Sequence, residues 1–333
     1  MLEQRIISSS ELSKFGPVST LNEQAFTLVK QQQETWKLTR KNYGELAGVQ
    51  TREFEFGHFK IMAQHNPERI RSSAAKVDTK SISERPCFLC PDNLPAEQKA
   101  LNFQNKFLIL VNPFPVFPVH LTIPLIEHKP QQILNFFSEM LELSCQLEGF
   151  TVFYNGPQCG ASAPDHFHFQ AGNRGFLPIE NELENLEKNH SKVIFQRSGL
   201  KIFVVQNYLR RFVCIVSSDR TKINNAFHRV YSSFPGENVN EPMMNILSFF
   251  ENGNWKVIIF PREKLRPSRF YETGEKQVVV SPAAVELGGI MVLPRQKDFE
   301  SISNQVISEI YDEVTLPFHR FEHLIKSVSI AYR

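Results

Sequence analysis

The stretch Pro164–Gly172, PDHFHFQAG, sets two imidazoles and a carboxamide at alternate positions, His166, His168 and Gln170, with Phe167 and Phe169 between them. Side chains on a strand point to opposite faces with a period of two. The spacing predicts a strand with the three polar groups on one face and the two rings on the other. An imidazole can serve near neutral pH as ligand, base or nucleophile. An amide can hold or steady an oxygen but cannot activate water as an acid or base. A lone His-x-His also suits ordinary satisfied polar residues on a strand, so the neighbouring sequence has to decide.

Cys87 and Cys90, in CFLC, stand at metal-ligand spacing. The alternative is a chance pair of buried thiols. Two further ligands would complete a zinc site, and His128 and His166 are the available partners, with His120 in reserve. A Cys₂His₂ set is closed and four-coordinate, hence structural rather than catalytic. The loop before the histidine strand, NGPQCGASAP, carries Gly156, Gly160, Ala161 and Ser162. Small residues let backbone amides and a hydroxyl approach an anion, although turn residues of an ordinary hairpin loop look the same. Arg262, Lys264 and Arg266, in FPREKLRPSRF, could clamp a phosphate or form an exposed basic loop. Glu286 could touch a sugar or be a buried, hydrogen-bonded carboxylate. The aromatic residues of NPFPVFP, Phe114 among them, could stack on any base.

The elements that must position these groups follow from apolar periodicity. Residues 24–43 read as a helix and 52–64 as a strand. The polar stretch from His65 to Pro86 reads as an ordered loop, whose basic residues either face a phosphate or, on composition alone, are solvated. Segments 106–111 and 120–126 read as strands. They are followed by a helix carrying Ile133, Phe136, Phe137, Met140, Leu141 and Leu147 and stopped by Gly149, then a strand at 150–154 and the histidine strand. This order implies an antiparallel sheet with a helix packed on one face. The polar segment 180–192 reads as a boundary. Beyond it KIFVVQ, RFVCIVS, KVIIF, QVVVS and GGIMVLP read as strands and 303–326 as a helix, so the second half could repeat the sheet-and-helix theme.

The chain has 333 residues, 41% hydrophobic and 22% charged, with 29 Phe, so an aromatic-rich core is expected. A formal charge of +2 gives no electrostatic footprint for duplex nucleic acid. MLEQRIISSSELSKF has no apolar core of a secretory signal, and no run of about 18 apolar residues predicts a membrane span. Five Cys, with Cys145, Cys159 and Cys214 scattered, fit a reducing cytoplasm better than a disulfide framework.

Taken together, NGPQCGAS…HFHFQ resembles the His-x-His-x-Gln transferase branch of the histidine-triad superfamily. That branch includes galactose-1-phosphate uridylyltransferase, GDP-L-galactose phosphorylase and diadenosine tetraphosphate phosphorylase. CFLC and HLTIPLIEH are similar to the metal-binding cysteine pair and the strand-ending histidine of the uridylyltransferases. SPAAVELGGIMVLPRQKDFE, 281–300, is similar to the matching segment of GDP-L-galactose phosphorylases, and HFHFQA sits nearest that family's version. Asp165 is one residue more than the uridylyltransferases carry between loop and first histidine, and Pro113 stands where they have an acidic residue after Asn112.

The resemblance implies His168 as nucleophile, Gln170 against a phosphoryl oxygen, and Ser162 and Asn155 on phosphate. Asn112 falls on the nucleotide side, and Cys87, Cys90, His128 and His166 fall at the uridylyltransferase zinc ligands. The phosphorylases do not depend on the cysteine pair, so bound zinc, a vestigial site and no metal all stay open. The expectation is an α+β fold with histidine-triad-like antiparallel sheets and packed helices in two related halves, 1–180 carrying the nucleophile and 181–333. The expected activity is a cytoplasmic nucleotidyltransferase, possible as a homodimer, that cleaves a GDP-hexose-like nucleotide sugar through a nucleotidyl-histidine, releasing sugar 1-phosphate and passing the nucleotidyl group to phosphate or a sugar phosphate. Rival readings are a hexose-1-phosphate uridylyltransferase, a dinucleoside polyphosphate phosphorylase, a non-catalytic nucleotide-binding module, or a zinc-dependent nucleic-acid binder, which the near-neutral charge argues against.

Overall fold

A computed structural model describes residues 2–74, 78–235 and 241–332. Thirteen strands alternate with helices among them: β1 (Gln50–Glu55), β2 (Lys60–His65), β3 (Ala100–Phe103), β4 (Phe107–Val111), β5 (His120–Pro124), β6 (Phe150–Asn155), β7 (His168–Asn173), β8 (Ser191–Arg197), β9 (Leu200–Val205), β10 (Phe212–Ser217), β11 (Met244–Glu251), β12 (Asn254–Pro261) and β13 (Ile290–Leu293). Ten form one sheet in the order β3-β4-β5-β7-β6-β11-β12-β10-β9-β8. Its pairings are all antiparallel, and β6 against β11 carries the hydrogen bonding from the first half of the chain into the second. The fold is thus the α+β, antiparallel architecture that the element order predicts.

The apolar alternation places the sheet's two faces. Phe167 and Phe169 are fully buried in one core with Phe107, Tyr154 and the helix Phe137–Gln146. Their rings meet edge to face at a centroid distance of 4.9 Å. The second core lies on the other face, under the helices Pro178–His190 and Asn304–Val314 and the segment Val278–Leu293. Gly172 shows how tight that face is. A Cβ there would sit 2.3 Å from the Phe117 ring, so glycine is required for Phe117 to lie flat on β7.

A smaller sheet, β1-β2-β13, joins distant parts of the chain. β13 runs parallel to β2 with Ile290 opposite Met62. This pairing holds β13 beside the first half of the chain, and Ser281, Ala283, Val285, Glu286 and Val292 line the cavity described below.

Several elements differ from the sequence expectation. The stretch 24–43 is two helices, Leu21–Thr35 and Lys37–Leu46, broken at Trp36, whose φ of −113° and ψ of 110° are extended. The stretch 52–64 is a hairpin turning at Gly57, with φ of 73°. The polar segment 180–192 lies mostly in an amphipathic helix, Pro178–His190, whose Ile179, Leu183 and Leu186 are buried and which continues directly into β8. QVVVS is extended but forms no ladder. Val278, Val279 and Val280 are buried by packing, and the Val279 amide donates to Asp298 Oδ2 at 2.9 Å. The C-terminal helix is likewise two, Asn304–Val314 and Phe318–Ala331, separated at Pro317. No described helix is long and apolar enough to cross a membrane.

Candidate active site

Adjacent strands put side chains of one face in a row. The registers align Leu110, Thr122, Gln170 and Phe153 across β4, β5, β7 and β6. All four line one cavity of about 580 Å³. His168, two residues before Gln170, lines it as well. Around this floor, Leu94, packed with Leu110, makes an apolar end with Pro95 and Trp36, and Leu89, Asn112 and Phe114 also line the cavity. Asn155, Gly160 and Ser162 flank His168, and Arg69, Ser281, Val285 and Glu286 close the far side.

The His168 ring is held at one nitrogen. Its Nδ1 lies 2.9 Å from the His166 carbonyl oxygen, which selects the Nδ1–H tautomer and leaves Nε2 without a protein partner among the described residues. Burial pushes its pKa down to about 4, so the ring is neutral at physiological pH with a lone pair on Nε2. The backbone beneath it is clamped by Gln131. The Gln131 amide donates to the His168 and Asn155 carbonyls at 2.9 and 3.0 Å, and its Oε1 accepts from the His168 N–H at 2.8 Å.

Glu241 secures that clamp in turn. Its carboxyl group accepts from the Ile133 amide and from the Tyr154 hydroxyl, each at 2.6 Å. Burial raises the Glu241 pKa to about 7. The folded protein therefore holds this proton more tightly than the unfolded chain. The stabilisation is complete below the ordinary glutamate range and is lost as pH rises through about 7. Between pH 5 and 8, Glu241→Gln, which mimics the protonated acid, is expected to remove the loss of melting temperature on the alkaline side near pH 7, while the buried neutral His120 and His168 keep their opposite trend at the acid end. Melting curves across that range check it, and an unchanged slope would refute the assignment.

Gln170 is set by a residue the sequence offered only as a reserve ligand. Val116 N–H donates to His120 Nδ1 at 3.2 Å, which leaves the His120 proton on Nε2. Nε2 lies 3.0 Å from Gln170 Oε1. The carboxamide oxygen is thus occupied, and the Gln170 NH₂ has no partner among the described residues. His120 is fully buried and its pKa is pushed down to about 3, chiefly by burial, with Arg69 adding to the effect.

The loop Asn155–Pro164 presses on the second half of the chain. Asn155 Oδ1 accepts from Asn245 Nδ2 and from the Ala284 amide, both at 2.8 Å, leaving its NH₂ group free of protein bonds. Gly160, with φ of 91°, lets the loop close on Ala283, where a Cβ would come within 2.5 Å. Two cations come from the long polar loop that composition assigned to solvent. Arg69 donates to the Phe114 carbonyl at 2.8 Å. Arg85 donates to Asp165 Oδ1 at 3.0 Å, packs over Phe88, and keeps a buried Nη1 with no partner.

The basic segment expected to clamp phosphate lies elsewhere. Arg262 is 2% exposed, and its guanidinium is spent on the Val314, Pro282, Lys264 and Leu265 carbonyls and Asn245 Oδ1. Lys264 faces Glu313 at 3.3 Å. Arg266 binds Ser281 Oγ and the Ser73 carbonyl. Lys264 and Arg266 border a separate surface depression with Tyr271 and Pro157. Glu286 does reach the main cavity, buried, with its Oε2 accepting from the Ala283 amide and its pKa raised by burial.

Cys87, Cys90, His128 and His166 converge, with one donor atom of each within 4.8 Å of all the others. His166 Nδ1 lies 3.2 Å from Cys87 Sγ and 3.6 Å from Cys90 Sγ, and His128 Nδ1 lies 3.2 Å from Cys90 Sγ. A tetrahedral zinc with Zn–S of about 2.3 Å and Zn–N of about 2.0 Å has edges near those lengths. The outer hydrogen bonds suit ligation too. His166 Nε2 lies 2.7 Å from the Leu125 carbonyl, so the proton sits there and Nδ1 is bare. Asp165 Oδ2 lies 3.9 Å from His128 Nε2. The residues fit a closed metal site, and β7 begins two residues beyond it. His166 therefore does not share the cavity face with His168 and Gln170. Its side chain turns to the cysteines while its carbonyl holds the His168 ring.

Comparison with known proteins agrees with this architecture. One family model, described as a domain of unknown function (DUF4922), matches residues 28–173, and another, "GDPGP1-like, C-terminal domain", matches 185–332. Each model covers less than half of the chain, one on either side of residue 180. The yeast Ap4A phosphorylase Apa2 in complex with Ap4A superposes with a TM-score of 0.56 at 16% identity, covering 87% of this chain and 97% of that one. Apa2 without ligand gives 0.54 at 14% identity, covering 84% and 95%. At these identities the likeness establishes the shared fold. No curated protein matches the sequence.

Proposed function

We propose that this protein is an enzyme, a nucleoside-diphosphate-sugar phosphorylase that works through a nucleotidyl-histidine at His168. The carrying observation is the His168 ring, with Nδ1 fixed on a carbonyl and Nε2 free, beside a cavity large enough for a nucleotide. Nε2 attacks the α-phosphorus and the bond to the sugar phosphate breaks, releasing sugar 1-phosphate. Inorganic phosphate then attacks the His168–phosphorus bond, yielding nucleoside diphosphate and the free ring. Both steps depend on positioning and charge stabilisation. The NH₂ groups of Gln170 and Asn155 and the Ser162 hydroxyl supply dipoles there, and Arg85 supplies positive charge. Asn112 and Phe114 flank the nucleoside, and Glu286 with Arg69 meets the sugar. The Cys87, Cys90, His128 and His166 set would hold a structural zinc, whose chemistry is to fix the ends of β5 and β7.

A panel of nucleotide sugars incubated with phosphate tests the reading. Release of nucleoside diphosphate and hexose 1-phosphate is expected for at least one sugar. Turnover only with a hexose 1-phosphate acceptor would make it a uridylyltransferase-type enzyme. The fold shared with an Ap4A phosphorylase makes dinucleoside polyphosphates the second substrate class to include.

His120 is a positioning residue on this reading. His120→Phe, packed between Phe117 and Phe153, frees the Gln170 carboxamide to rotate. Turnover is expected to fall roughly ten- to a hundredfold, the cost of unsettling one buried hydrogen bond, with KM little changed. Adding His120→Phe to Gln170→Ala should then cost almost nothing more. Additive losses would contradict the relay.

A further inference from the structure

We infer that Gln98 reads the nucleobase, accepting a hydrogen bond from an amino or imino N–H on the base edge; this rests on the nucleotidyl reading of the same cavity. Gln98 lines the cavity's apolar end and is 5% exposed. Its Nε2 donates to the Val111 carbonyl at 3.0 Å, which fixes the carboxamide and leaves Oε1 as an acceptor with no protein donor among the described residues. Leu94, Leu110 and Trp36 line the same end and offer no competing side-chain acceptor. A buried carbonyl oxygen left unpaired is costly, so a ligand that fills this end without supplying a proton is disfavoured.

The loop bearing Gln98 is built to stay in place. Arg5 donates to the Leu94 and Pro95 carbonyls, each at 2.7 Å. Gln32 ties down its other side, donating to the Glu97 carbonyl and accepting from the Lys99 amide at 3.1 Å. The distance also suits a nucleoside. Leu110 and Gln170 lie two strands apart in the sheet, with β5 between them. Two strand spacings are about 10 Å, the span of a ribose between phosphate and base. A phosphate at Gln170 therefore puts the base over Leu110 and against Gln98.

The test compares AMP and GMP with purine riboside 5′-monophosphate, which has the same ring system and no N–H on the six-membered ring. Equilibrium binding is measured on wild type and Gln98→Met. Wild type is expected to prefer AMP or GMP by about tenfold or more over purine riboside monophosphate. Gln98→Met should abolish that preference and bind purine riboside monophosphate within about twofold of wild type, which also shows an intact pocket. Equal binding of all three by wild type, or a preference that survives in Gln98→Met, would overturn the assignment. Nucleotide transfer to His168 is followed separately in both proteins. Transfer without base discrimination removes Gln98 as reader and keeps the proposed reaction, whereas no binding of any nucleotide removes both.

Discussion

His168→Asn is expected to lower turnover of the nucleotide sugar by at least about 10⁴-fold, because a covalent nucleophile has no substitute in the cavity. Of the other ionisable groups in the cavity, His120 has both ring nitrogens hydrogen-bonded and the Glu286 carboxyl is held on the Ala283 amide, so neither is set to take a nucleotidyl group. Asparagine is a fair replacement structurally. Its NH₂ can still reach the His166 carbonyl that now holds Nδ1, and the main-chain clamp by Gln131 does not involve the ring. Nucleotide affinity should therefore stay within a fewfold of wild type, since Asn155, Ser162, Arg85 and Gln170 remain. Steady-state kinetics with a binding measurement separates the two effects. Residual turnover within a hundredfold of wild type would assign the chemistry to another group.

The second large effect concerns the metal cluster. Purified protein is expected to carry about one zinc per chain, and Cys87→Ser to lose it. Closing such a site contributes several kcal/mol to folding, so the melting temperature should fall by roughly 10 °C. Activity should fall with it for a specific reason. The His166 side chain is in the cluster and the His166 carbonyl is the anchor for the His168 ring. Releasing that side chain loosens the start of β7 where the nucleophile stands. Elemental analysis, calorimetry and kinetics on the same preparations check the three parts together. A zinc-free protein with unchanged melting and full activity would show the cluster to be vestigial.

The sequence made the histidine strand legible because a period-two pattern survives translation into structure directly. Phe167 and Phe169 are in the core, and His168 and Gln170 line the cavity. It did not show that His166 leaves this face, because the ladder starts at His168 and the residue before it answers to the cysteines. CFLC and the strand-ending His128 were visible as a possible quartet, since ligand types and spacing carry the signal.

Long-range groups were the hard part. Arg69 and Arg85 sit in a polar loop whose composition resembles solvent-facing chain, and only tertiary packing brings them to the cavity. Arg262 misled for the opposite reason. A buried arginine satisfied by carbonyls has the same local sequence as a phosphate clamp. Gln131, His120 and Gln98 act through buried side-chain hydrogen bonds, most of them to partners far away in sequence, and no local periodicity marks such residues. Helix breaks at Trp36 and Pro317 were missed for different reasons. Pro317 was a readable stop, whereas Trp36 has no intrinsic bias against a helix strong enough to announce the bend.

The central claim is that Nε2 of His168 takes the nucleotide. Enzyme mixed with nucleotide sugar labelled in its α-phosphate, with no phosphate acceptor present, is quenched in alkali and digested for mass spectrometry. The account predicts an acid-labile nucleotidyl mass on the peptide containing His168, discharged when phosphate is added and absent in His168→Asn. Turnover with no labelled His168 peptide at any time, or equal label in the asparagine variant, would contradict it.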